Sequence, residues 1–180
     1  MAVTLTVGTN TYISLVDAEA FFEERLYTDD WDNATDDHKS QALIMATKHI
    51  DRLALVGRKK QYYNQILQFP RCYPPGSSFS MVEYIGNLQE PVSDGYVCDI
   101  DIPKVVKDAC CEQALFLLGL TDYERHRNKQ QVLGMVGGSV GNANEYAGQS
   151  QAQSNRRSTV LCPEARELLR PYLAGSAVII

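Results

Sequence analysis

Residues 58–101 cannot hold a long helix, and no other feature limits the fold as strongly. Pro70, Pro74, Pro75, Gly76 and Ser77 fall among Tyr62, Tyr63, Phe69, Tyr73 and Phe79. Each proline removes a backbone donor and fixes φ, so helical hydrogen bonding cannot propagate through them. The expectation is an extended, irregular crossover pinned by aromatic side chains. It opens on the basic run Arg58-Lys59-Lys60. Cations interleaved with aromatics can bind single-stranded nucleic acid by stacking. Anchoring a long loop to the core is the commoner use of such rings, and it is the reading favoured from sequence.

On either side of the crossover the chain reads as helix. Ser14 is an N-cap with Asp17 at the third position, and Leu15, Ala18, Phe22 and Leu26 follow at helical spacing for about three turns. Asp29-Asp30-Trp31-Asp32-Asn33 breaks the pattern, and Thr35-Asp36-Asp37 restarts it. Ala42, Met45, Ala46, His49, Ile50 and Leu53 then form one stripe, running to about Leu55 with Gly57 as a stop. Pro103 opens a third helix whose face is Val106, Ala109, Cys110, Gln113, Ala114 and Leu117, expected to be the most buried. Pro163 opens a last short helix with Ala165, Leu168, Leu169 and Tyr172 on one face. Between them, Gly137-Gly138 reads as a turn within a β-hairpin or extended loop, and residues 142–158 are rich in Asn, Gln, Ser, Ala and Gly.

The fold class expected is therefore mostly α, a small helical bundle of about four helices. It carries the irregular crossover and a hairpin or extended loop near the C-terminal third. At 180 residues one domain is expected, with an N-terminal arm at 1–13, a flexible loop or hairpin at 121–160 and a tail at 173–180.

Charge and reactive groups narrow the function classes. The net charge of −5 argues against a globally basic nucleic-acid binder. The charge is uneven, with ten acids against three Lys/Arg in residues 1–51 and seven Lys/Arg against five acids in 121–170. Five cysteines show no disulfide-framework spacing, which points to free thiols in a reducing compartment. No export signal or membrane-length apolar run is expected, since Met1-Ala2-Val3-Thr4 lacks a charged start followed by an apolar stretch. His49 reads as a packed histidine, and the Asp29–Asp37 acids as helix caps and solvated charges rather than a calcium loop. No nucleophile setting, phosphate loop or dinucleotide fingerprint appears. The expectation is a protein that is not an enzyme, with no catalytic, cofactor-binding or metal residues and no cofactor.

Four ordered segments carry a resemblance. Thr9-Asn10-Thr11-Tyr12-Ile13-Ser14 with Asp17-Ala18-Glu19-Ala20-Phe21-Phe22 forms the first. Trp31, Lys39, Ala42-Leu43-Ile44, Ala46-Thr47 and Ile50-Asp51 form the second. Gly57-Arg58 with Gln65 to Arg71 is the third, and Ile102-Pro103, Val106, Ala109, Glu112 and Ala114-Leu115 the fourth. Together they resemble a tailed-phage head-tail connector (adaptor) family, which also carries a DnaT-like single-stranded-DNA-binding label. Phe69 stands where that family usually has Trp, and Leu55-Val56 where an aromatic often precedes Gly.

The resemblance implies a structural virion protein of the neck, made in the host bacterial cytoplasm. Such a subunit forms a homo-oligomeric, twelve-subunit ring. Its partners are the portal protein, a tail or stopper protein, and genomic double-stranded DNA passing non-specifically, with no membrane. In that setting Arg125, Arg127, Lys129, Arg156 and Arg157 are the candidate DNA-channel-facing residues, and Val178, Ile179 and Ile180 a candidate portal-docking tail. The two labels differ physically, because a single-strand binder needs exposed aromatic platforms beside cations. Negative net charge and a C-terminal region offering only Arg156, Arg157, Arg166 and Arg170 favour the connector, with single-strand binding as the alternative.

Overall fold

A computed structural model describes residues 3–74, 95–121, 123–125, 137–140, 143–146 and 161–174. The architecture is mostly α. Helices α1 (Leu15–Glu23), α2 (Asp29–Asp32) and α3 (Asp36–Asp51) precede strands β1 (Arg58–Lys59), β2 (Arg71–Tyr73) and β3 (Val97–Cys98). Helix α4 (Lys104–Gly119), strands β4 (Gly137–Val140) and β5 (Ala143–Tyr146), helix α5 (Pro163–Leu169) and a 3₁₀ turn, Arg170–Tyr172, follow.

Local start signals act as their chemistry requires. Ser14 Oγ accepts from Asp17 N, and the Ser14 hydroxyl donates to the Asp17 carboxylate at 2.7 Å. Thr35 Oγ1 accepts from His38 N at the head of α3. Pro103 caps α4, and Pro163 is the first residue of α5. Helix α1 is shorter than the apolar spacing suggests. It ends at Glu23, Leu26 lies outside it and exposed, and Tyr27 turns the chain with φ 61°.

Helix α4 is the axis of the core. It packs against α3, α5, α2 and α1, and both Cys110 and Cys111 are buried on it with Val106, Ala109, Gln113 and Ala114. Trp31, read from sequence as part of a helix break, sits on α2 fully buried against Phe22, with ring centroids 4.2 Å apart. Glu19 accepts from both Trp31 Nε1 (3.1 Å) and Lys39 Nζ (2.8 Å), so α1, α2 and α3 share one polar clasp. Arg25 grips Glu112 through two parallel 2.7 Å bonds and fixes the end of α1 to α4. At the start of the chain, Thr11, Tyr12 and Ile13 are buried, so these three residues belong to the core and not to an arm.

The described parts of the crossover, residues 58–74 and 95–101, are more ordered than their composition suggests. Strands β1, β2 and β3 form an antiparallel sheet in that order, pairing Arg58 with Cys72 and Cys72 with Cys98. Cys72 and Cys98 are joined by a disulfide, which corrects the expectation of five free thiols. Cys110, Cys111 and Cys162 are free and buried. Strands β4 and β5 make the expected hairpin, but Gly137 and Gly138 lie within β4, paired with Tyr146 and Glu145, and not at its turn.

Candidate nucleic-acid interface

The sheet edge carries an exposed aromatic turn immediately after β1. Gln65 N donates to Gln61 O, and Gln65 Oε1 accepts from Gln61 N, both at 3.1 Å. Gln65 Nε2 donates to Leu67 O and Pro70 O at 2.9 Å. Lys59 Nζ crosses the loop to the carbonyls of Gln65 (3.1 Å) and Ile66 (2.9 Å). These bonds hold the turn from its inner side and leave its tip in solvent. Tyr62 is 75% and Tyr63 93% exposed, and their rings meet edge to face, centroids 5.2 Å apart at 85°.

Three cations, Arg58, Lys59 and Lys60, precede this pair in the chain. The Arg58 guanidinium lies 4.0 Å over the Tyr96 ring. Lys60 Nζ donates to Asp99 O (2.7 Å) and Ile100 O (3.2 Å), tying β1 to the far side of the sheet. An ammonium has three donors, and among the described residues the carbonyls take two from each lysine, which leaves each its charge and one donor.

Two other crossover aromatics do a different job, while Phe79 lies outside the described residues. Phe69 and Tyr73 are fully buried. Phe69, after which the Phe69–Pro70 peptide is cis, meets Tyr12 and Tyr172 edge to face at 5.8 and 5.3 Å. The crossover rings thus divide: Phe69 and Tyr73 anchor, as expected, while Tyr62 and Tyr63 face solvent as a stacking platform would.

A buried polar frame supports the turn. Arg71 donates to the carbonyls of Val56 (2.8 Å), Gly57 (2.6 Å) and Leu55 (3.3 Å) and to Gln68 Oε1 (2.8 Å). Burial lowers its pKa, offset in part by nearby acids and tyrosines. Asp99 Oδ2 accepts from Arg71 N and Tyr73 OH, both at 3.0 Å. Burial outweighs these donors and lifts the Asp99 carboxyl to about 6. Asp51, which accepts from Tyr12 OH and from Gln68 N, is also raised by burial.

The remaining reactive groups are closed off. Burial pushes the Cys110 thiol up to about 12 and Cys162 to about 11, with Cys111 higher still. His49 packs with its Nδ1 3.3 Å from Gln113 Nε2. Among the described residues, no group of three His, Cys, Asp or Glu side chains could hold a metal ion, and no helix is long and apolar enough to cross a membrane. Of the channel candidates, Arg125 is exposed in a helical turn at 123–125, its Nη2 donating to Leu120 O at 3.2 Å. Arg127, Lys129, Arg156, Arg157, Val178, Ile179 and Ile180 lie outside the described residues. Tyr96 escaped sequence reasoning, because only the pairing of β2 with β3 brings it to Arg58.

No curated protein and no solved structure matches the chain. A family model does, over residues 3–80, a span that includes the whole basic and aromatic turn. This corrects the connector reading: of the two labels the resemblance carried, the match returns the DNA-binding one. Over residues 3–80 the chain is similar to the family described as "Putative DnaT-like ssDNA binding protein".

Proposed function

We propose that this chain binds single-stranded DNA, with the turn after β1 as its contact surface. The observation that carries the reading is the exposed Tyr62–Tyr63 pair on a hydrogen-bonded turn beside Arg58, Lys59 and Lys60. Unpaired bases offer a π-face to such rings whatever their sequence, and phosphates find the neighbouring cations. The family match over residues 3–80 supports the same activity. Binding is the proposed role, without catalysis.

The test is fluorescence anisotropy of a labelled single-stranded oligonucleotide titrated with the protein at low salt. Saturable binding is expected. Tyr63→Ala should weaken it about tenfold, within the range of about 1–3 kcal/mol that one base–aromatic stack contributes. Absence of saturable binding at micromolar protein would reject the reading. So would a Tyr62→Ala/Tyr63→Ala double variant with unchanged affinity.

A further inference from the structure

Two exposed tyrosines can present bases with two kinds of surface. Parallel rings, side by side, would continue the stack of a helical strand. Perpendicular rings make a corner that holds one base, with one ring stacked on its face and the face of the other ring against its edge. Tyr62 and Tyr63 are of the second kind, at 85° and 5.2 Å. Both belong to a turn closed by the Gln61–Gln65 bonds and by Lys59, so the backbone that carries them is fixed before any ligand arrives.

Resting on the single-strand reading above, we infer that the Tyr62–Tyr63 corner takes one nucleobase swung out of its own strand's stack. The ligand is therefore a strand whose neighbouring bases separate readily. A base entering the corner gives up its stacking on at least one neighbour, and Arg58 and Lys59 hold the phosphates on either side of the bend. Thymine stacks weakly on itself and adenine strongly, so oligo(dT) loses less than oligo(dA) on entering. The preference arises from the cost of opening the strand.

The experiment compares oligo(dT) and oligo(dA) of equal length, about 16 nucleotides, by anisotropy at one salt concentration. Wild type is expected to bind oligo(dT) about tenfold more tightly. Tyr62→Ala and Tyr63→Ala should each weaken oligo(dT) and erase most of the difference. Tyr62→Phe, which keeps the ring, should retain both affinity and preference; its loss of either would overturn the inference. Circular dichroism of each variant checks that the fold is intact. Equal affinities, or tighter oligo(dA), would overturn the corner while leaving single-strand binding in place. Failure of both oligonucleotides to bind would reject the underlying reading together with the corner.

Discussion

Asp99 shows how one buried carboxylate couples fold stability to pH. Its folded pKa is raised from 3.8 to about 6 because burial disfavours the anion. The folded state thus holds the proton more tightly than the unfolded chain does. The stability this contributes is complete below about pH 4 and is lost as pH rises through about 6, a change of about 2–3 kcal/mol. Asp51 and Asp108, also raised by burial, act in the same sense. The diagnostic quantity is therefore the difference between wild type and Asp99→Asn, whose carbonyl can still accept from Arg71 N and Tyr73 OH. Melting temperature against pH should fall from pH 4 to 7 for wild type and less steeply for the variant; parallel profiles would remove Asp99 from the account. Gly57 is the second decisive residue. Its φ is +80°, and a Cβ would lie 2.3 Å from the Cys72 carbonyl oxygen. Gly57→Ala should cost at least about 2 kcal/mol in denaturant unfolding, from the left-handed backbone and the clash. The sequence marks Gly57 as a helix stop. Its closer duty, letting β2 approach, is visible only once β1 and β2 are paired.

The elements divide by how local their signals are. Helices α1, α3, α4 and α5 were legible because Ser14, Thr35, Pro103 and Pro163 act within one turn of chain. Strands of two or three residues have no periodicity to read, and β1–β2–β3 is assembled from partners as distant as Cys72 and Cys98, 26 residues apart. The same non-locality hid the division of the crossover rings. Tyr63 and Tyr73 sit in similar sequence, but one occupies a turn and the other a central strand. With so few backbone pairs per strand, the disulfide carries much of the sheet's stability. Closing a loop of this length contributes about 3.5 kcal/mol through the unfolded chain. Cys72→Ala/Cys98→Ala should lose about that much, and thiol titration of the denatured, unreduced protein should find the three free cysteines, Cys110, Cys111 and Cys162. Five titrating thiols would mean that the bond does not form.

At the scale of the molecule, a net charge of −5 opposes binding a polyanion, and from sequence it is one of the grounds that favour a connector. The opposition is weaker than the total suggests. Acids are concentrated in residues 1–51, ten against three Lys/Arg, while the turn begins with three consecutive cations at 58–60. At about 0.15 M salt, charges more than about 8 Å away are largely screened, so a bound phosphate responds chiefly to Arg58, Lys59 and Lys60. Three phosphate contacts on a single strand give a slope of log affinity against log salt near −2, or about a 20-fold loss between 50 and 200 mM. Arg58→Ala should reduce that to about 7-fold. Below about 50 mM the Debye length grows, the distant acids come into range, and the plot should flatten. A globally basic binder would hold the same slope as salt is removed. A linear plot down to about 10 mM would therefore mean that contacts elsewhere in the chain dominate, and a slope unchanged by Arg58→Ala would move the phosphate path away from β1.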